Sequence, residues 1–428
     1  MNPLSLRIPP PCIVVWFAMT PGMAAAITVT LDYGPNNYFY NNARARAAIE
    51  QAAADLSWAI TSSLDAVDQN SWQLTEGTAP GQITTAEYEW IYNVSMPSLP
   101  NGSAVVPDLA ADEVKFFVRP DLIAGSTLGT GASAGIGFSA SYSGYSSNPY
   151  LASQFASLVD QQSALAQAEY TRGAGPIVHT LTGTSTLNFN ATPYVDASHD
   201  YAVAYGPAYG TIALDVDQNN DGYADSANSL ADYWHFDHTI PVARGKNDLY
   251  SVALHEMLHA LGYGSSETWS NWIVSGQWTG PEAVAEHGTG VGLVDDSHLA
   301  ECVKSFLAAG GGLQEAVMDP TLTVGTRKKL TRLDLAFLRD LGYATVDADF
   351  DSDGEVDGDD FGASGVGPAA GDADTNGMVD GADLAIWEGQ AAAGIDSAGV
   401  AAIVPEPTGC GIFLASGWRC VRRRRGCA

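Results

Sequence analysis

The chain is short of cysteine, of basic side chains and of charge altogether. It holds five cysteines in 428 residues. Cys12 lies near the start, and Cys410, Cys420 and Cys427 fall in the last twenty residues. Only Cys302 belongs to the body, which excludes a disulfide framework there and leaves stability to a core and to bound metals. No Cys-x-x-Cys pair occurs, which removes zinc ribbons and thioredoxin-type chemistry. Lys and Arg total 19 against 49 acids, for a formal net charge of −30. Phosphate binding needs clustered cations, so nucleic acid is excluded as a default partner. Only 16 % of residues are charged, while 46 % are hydrophobic and 45 are glycine. That mixture can bury a core beneath a loop-rich, weakly charged surface, as in many secreted bacterial proteins. The length fits one large domain with additions, or two to three domains.

Both ends read as targeting segments. Arg7 precedes the apolar run from Cys12 to Met19, and small residues follow to Ala26. Residues 1–26 therefore read as a secretory signal peptide; a buried N-terminal strand is the other reading. Near the C-terminus, Val404-Pro-Glu-Pro407 leads into an apolar stretch to Trp418 and then Arg419 and Arg422 to Arg425. Residues 404–425 resemble a PEP-CTERM sorting signal, which implies export to the extracellular space or the bacterial cell envelope and transient membrane association of the tail. The apolar part is about ten residues, against roughly twenty for a span, and the alternative is a basic tail.

Between the ends, strands and helices mix. Ile27 to Asp32, Val114 to Arg119, Ser185 to Asn190 and Thr211 to Asp215 read as strands. Helices are expected at Asn41 to Ile60, Ser153 to Tyr170, Leu249 to Leu261 and Leu330 to Leu341, the last stopped by Gly342. Ala45, Ile49, Ala52, Leu56 and Ala59 form one face of the first. Gly125 to Ser147 reads as a loop, and Asp232 to Phe236 as the end of an edge strand. The fold class is α+β. Composition changes after Tyr343: Asp347 to Asp396 holds fourteen acids and no basic residue. The domains expected are 27–345 and 346–398.

The sharpest motif is His255-Glu-Met-Leu-His259. On a helix, positions i and i+4 share a face, so both imidazoles reach one Zn2+. Glu256 between them can take a proton from a water that the metal activates. Asn247 or Asp248 caps the helix, and Gly262 permits the turn that ends it. His-Glu-x-x-His-x-x-Gly resembles the metzincin metallopeptidases. That resemblance implies a twisted mixed sheet over an active-site helix, a protein or peptide substrate and a third histidine ligand. The usual third position holds Ser265, a poor ligand.

Leishmanolysin-like metzincins supply the third histidine from beyond an insertion. Here an insertion carries Trp269, Trp272 and Trp278, then Thr279-Gly-Pro-Glu-Ala283 and Asp295-Asp-Ser-His298. The resemblance assigns His298, with His287 as runner-up and Asp295 and Asp296 behind. It also assigns Met318 to the Met-turn, an apolar floor under the metal rather than a ligand. Substrate is expected extended along an edge strand at Thr211 to Asp215. His235 and His238 could hold a second zinc, but the preferred reading is an edge-strand end whose polar groups are satisfied locally.

The acidic region repeats one pattern at an offset of twenty-three residues. The first copy is Asp349, Asp351, Asp353, Glu355, Asp357 and Asp360; the second is Asp372, Asp374, Asn376, Met378, Asp380 and Asp383. Oxygen ligands at loop positions 1, 3, 5 and 12, a Gly at 6 and a carbonyl at 7 suit Ca2+. The duplicated loop–helix unit resembles dockerin type I modules, which implies a cohesin-like partner. Asp217, Asn219 and Asp221 form a third candidate calcium loop, with a weak closing residue in Asn228. Two functions remain open from sequence: a secreted zinc endopeptidase, or a non-catalytic envelope scaffold working through the dockerin-like module. Intact His255, Glu256 and His259 favour the first.

Overall fold

The computed structural model describes residues 27–34, 37–68, 72–73, 83–95, 103–105, 108–144, 151–189, 195–310, 312–347, 373, 379, 381, 383–388 and 422–424. The principal strands are β1 (Thr28–Asp32), β2 (Ile83–Ser95), β3 (Glu113–Asp121), β4 (Gly129–Ser133), β5 (Gly135–Gly144), β6 (His179–Phe189), β7 (Val195–Tyr205), β8 (Tyr209–Asp215), β9 (Thr321–Thr323) and β10 (Arg422–Arg424). The principal helices are α1 (Ala43–Ala59), α2 (Leu151–Tyr170), α3 (Ala227–Tyr233), α4 (Leu249–Ala260), α5 (Glu267–Asn271), α6 (Pro281–His287) and α7 (Arg332–Asp340).

The chain is mixed α+β around a four-stranded mixed sheet in the order β1-β3-β8-β4. β1 and β8 both run parallel to β3, and β4 pairs antiparallel with β8. Because side chains alternate along a strand, β3 serves two cores. Val114, Phe116 and Val118 enter the larger one, while Phe117 enters a smaller one on the opposite face. The larger core holds α1 and α4; every residue of α4 is buried, as expected for a helix apolar on most sides. The predicted face of α1, from Ala45 to Ala59, is buried throughout. The smaller core sits beneath α2 and the antiparallel β6–β7 hairpin.

Several expectations need correction. Thr211 to Asp215 is not an edge: β8 lies inside the sheet, and the edge strand on that side is β4. Gly125 to Ser147 contains β4 and all of β5, which pairs with β2. Ala227 to Tyr233, overlapping the expected edge-strand end, is helix α3, because Ser226 caps it by accepting from the Ser229 amide. Only Trp234–His235 is extended. Cys302 is disulfide-bonded, which its isolation in the body did not suggest; the other cysteines lie outside the described residues.

Most of the acidic region also lies outside them, including every expected calcium ligand from Asp349 to Asp380. Asp383 is the exception: it is buried, in a helix spanning residues 383–388. The region touches the main domain where the Asp347 amide donates to the Ala373 carbonyl and where Ile386 packs on the large core. β10 pairs in parallel with β9, just after Met318. No helix among the described residues is long and apolar enough to cross a membrane.

Candidate metal centre

Helix α4 starts at Asp248, which caps it by accepting from the Ser251 amide. Arg327 grips the same carboxylate through two nitrogens, at 2.7 and 3.0 Å, and ties the helix start to the carbonyls of Asp237, His238 and Ile240. Asp248, not Asn247, is therefore the cap. At the other end the Gly262 amide returns to His259 and the Tyr263 amide to Leu258, a Schellman closure. This turn aims the Tyr263 carbonyl back at His259.

His255 and His259 lie one turn apart, and the chain brings His298 against both. Ring centroids are 4.8 Å apart for His255 and His259, 4.9 Å for His259 and His298, and 5.3 Å for His255 and His298. All three side chains are buried, and one ligand atom from each lies within 4.8 Å of the others. Among the described residues this is the only such cluster of metal-ligating groups. His298 arrives because Gly264, at φ +65, lets its backbone touch the next loop. A Cβ there would sit 2.2 Å from the Ser297 carbonyl oxygen. The insertion tryptophans hold that loop: the Trp269 and Trp278 ring centroids lie 4.0 Å apart at a 35° tilt, and Trp269 donates its indole N–H to the Asp296 carbonyl at 2.9 Å.

Each imidazole has its Nδ1 spoken for. His255 Nδ1 donates to the Val317 carbonyl and His259 Nδ1 to the Tyr263 carbonyl, both at 2.8 Å. His298 Nδ1 donates to the Asp295 carboxylate at 3.0 Å. Acceptors on Nδ1 fix the tautomer and leave the Nε2 lone pairs facing inward. His259 Nε2 and His298 Nε2 stand 3.2 Å apart, close to the roughly 3.3 Å edge of a tetrahedron with 2.0–2.1 Å metal–nitrogen bonds. His255 Nε2 is buried with no hydrogen-bond partner among the described residues. Burial, then the neighbouring His259 and His298, drive the His255 pKa well below its ordinary value. A proton is thus a poor occupant of the centre, and a metal cation fits the donor set.

A second layer of groups supports these three histidines. The Asp334 carboxylate accepts the Val317 amide at 3.1 Å while closing a capping box with Thr331. Val317 in turn holds His255. Asp295 accepts the amides of Ser297 and His298 as well as the His298 ring. Burial alone would raise its pKa, but His298 and these amides bring it down to about 2. Met318 is fully buried, and its carbonyl accepts the Leu299 amide, which fastens the segment after His298.

Glu256 is buried on the side of α4 facing β4. A Cβ on Gly129 would lie 2.9 Å from Glu256 Oε1. One on Gly131 would lie 2.1 Å from the Glu256 carbonyl oxygen. These glycines let the sheet edge lie directly on the helix backbone, and sequence reading assigned them no role. Their signal was the alternation Gly129-Thr-Gly131.

The other candidates stand apart. His287 is exposed at the end of α6 and contacts Thr289. Ser265 donates its hydroxyl to the His259 carbonyl at 2.7 Å. Asp296 is exposed. Buried His235 accepts the Ala243 amide through Nδ1, and the His238 carbonyl serves Arg327. In the third candidate calcium loop, Asp217 accepts the amides of Asp221 and Gly222, and Asp221 that of Tyr223. Asn219 accepts a second bond from the Asp221 amide and donates to the Asp221 carboxylate. The loop is thus an internally hydrogen-bonded turn. No protein-family model, curated protein or solved structure matches the chain.

Proposed function

We propose that the chain is a zinc-dependent endopeptidase of the metzincin kind, acting on protein substrates. The observation that carries this reading is the three-imidazole centre, with each Nδ1 anchored and each Nε2 turned inward, beside a buried glutamate on the same helix. His255, His259 and His298 would hold the ion. Bound zinc supplies Lewis acidity toward a scissile carbonyl and lowers the pKa of water toward neutrality.

The remaining steps belong to the chain's own residues. Among the described residues, β4 presents an unpaired backbone edge beside α4, suited to an extended peptide. Glu256 accepts a proton from the attacking water and delivers it to the leaving amine as the C–N bond breaks. Burial of the centre strengthens each of these electrostatic contacts. On its sequence pattern we read the acidic region as a calcium-binding, dockerin-like module, and the ends as export and sorting segments.

Glu256→Gln tests the reading. It should retain bound zinc and lose casein hydrolysis by well over about a hundredfold, the scale of a general base. Activity within about tenfold of the parent would overturn the mechanism.

A further inference from the structure

Beside the metal centre, on the far side of Ser265, lies a cavity of about 420 Å3. Its upper wall is the edge strand itself, from Gly131 to Ser133. Its other walls come from His179 and Tyr205 of the hairpin and from Ser265, Ser266, Glu267 and Ser270 around α5. The same strand residue that packs on the Glu256 backbone, Gly131, thus opens the cavity. A peptide laid along β4 past Glu256 would deliver a side chain into it.

The lining is anionic and rich in oxygen. Among the described residues it contains no lysine and no arginine. Glu267 carries its charge. Its Oε1 accepts from the Thr180 amide and faces His179 Nδ1, both at 2.8 Å. Its Oε2 accepts from the Thr180 hydroxyl at 2.8 Å. Burial pulls the Glu267 pKa up, but the Thr180 amide and hydroxyl and the nearby His179 outweigh it and hold the carboxyl below its ordinary range. A carboxylate has about four acceptor sites, so Oε2 can take a further donor from the cavity. Ser265 and Ser266 are fixed, the first by its bond to the His259 carbonyl and the second as the cap of α5. The pocket is therefore preformed, and the one basic group on its wall among the described residues, His179, is turned to Glu267 rather than left to greet an acidic side chain.

Resting on the peptidase reading, we propose that this cavity is a substrate subsite selecting a lysine or arginine side chain of a peptide bound along β4. Glu267 receives the cation, the serine hydroxyls surround it, and Ser133 and Gly131 fix the peptide backbone that carries it. The cavity size lies in the range of ligand pockets and exceeds a single side chain, leaving room for the bound strand itself.

The test uses the full zinc-loaded chain carrying Glu256→Gln, which removes turnover, and fluorescein-labelled octapeptides that differ only in Lys, Arg, Leu or Glu at one scanned position. Fluorescence polarisation should give about tenfold tighter binding for Lys or Arg than for Glu at one position, the scale of one charge-assisted hydrogen bond. Adding Glu267→Gln, which keeps the amide in place for Thr180, should reduce that preference to about twofold or less. So should Ser270→Lys, which puts a fixed cation on an exposed wall residue. Equal binding of all peptides, no binding of any, or a preference that survives both substitutions would overturn the proposal. Hydrolysis by the parent chain is measured beside it. Selective binding without hydrolysis would keep the pocket and sink the peptidase reading; hydrolysis without basic preference would do the reverse.

Discussion

Replacing Gly131 by alanine adds one methyl group at the tightest point between the sheet and α4. The new Cβ would stand 2.1 Å from the Glu256 carbonyl oxygen, 2.8 Å from the carbonyl carbon and 2.9 Å from Cα. Optimal contacts between such atoms lie near 3.5 Å, so strand and helix must part by about 1 Å or more. The clashing atoms are backbone and cannot rotate away. α4 is buried on all sides and close-packed interiors do not yield, so β4 must move outward against its five-residue pairing with β8. Overpacking of this kind costs about 1–3 kcal/mol, and a backbone clash belongs at the upper end. For about 320 residues, at roughly 2.1 cal/mol/K of unfolding entropy each, 3 kcal/mol lowers Tm by about 4–5 °C. A displacement of about 1 Å at a catalytic group costs roughly a hundredfold in rate. No ligand lies on β4, so zinc content should be unchanged. Differential scanning fluorimetry, casein hydrolysis and metal analysis read the three effects separately. Gly312→Ala, where the methyl group meets nothing within 4 Å, is the control. Gly131→Ala matching the parent within about 1 °C and about twofold in rate would refute the role given to this contact.

Two further outcomes follow from groups around the site and the sheet. Asp295→Ala frees the His298 ring and should weaken zinc binding about 10–100-fold in competition with a chromophoric chelator, the usual loss for a group that orients a ligand; unchanged affinity would remove Asp295 from that role. Asp215 is buried, and desolvation, opposed by the amides of Asp217 and Ile123, pushes its pKa up to about 6. An acid whose folded pKa lies above its unfolded value stabilises the fold while protonated, and that contribution is lost as pH rises from about 4 through 6. Asp215→Asn should therefore raise stability above pH 6, by on the order of 2–3 kcal/mol without added calcium. The unpartnered Gln218 Oε1 can turn to accept from the new amide. Equal pH dependence of Tm in parent and variant would contradict the assignment.

The helix of the metal centre was legible because periodic apolar residues, a cap at Asp248 and the His-x-x-x-His spacing agree locally. The third ligand was not readable from spacing. His298 and His287 are both histidines beyond the insertion, and what separates them is tertiary: Gly264 against Ser297, and Trp269 holding the Asp296 carbonyl. The family resemblance pointed to His298, and the geometry groups His298 with the helix pair. The edge strand was missed for a physical reason. Gly-Thr-Gly-Ala-Ser lacks the branched and aromatic residues of ordinary strands, because the close approach of α4 leaves no space for side chains on that face. Thr211 to Asp215 was misplaced at the edge because period and hydrophobicity define a strand but not its neighbours. β2 carried a partial alternation, with Tyr88 and Trp90 set off by Glu87 and Glu89 before the apolar Ile91, and its sheet was not anticipated.

The zinc content of the purified chain and three variants tests the central claim most directly. The parent, His287→Ala and Ser265→Ala should each carry about one equivalent of zinc, and His298→Ala should carry little, since a structural or catalytic site needs at least three protein ligands. A filled site in His298→Ala, or an empty one in His287→Ala or Ser265→Ala, would contradict the account.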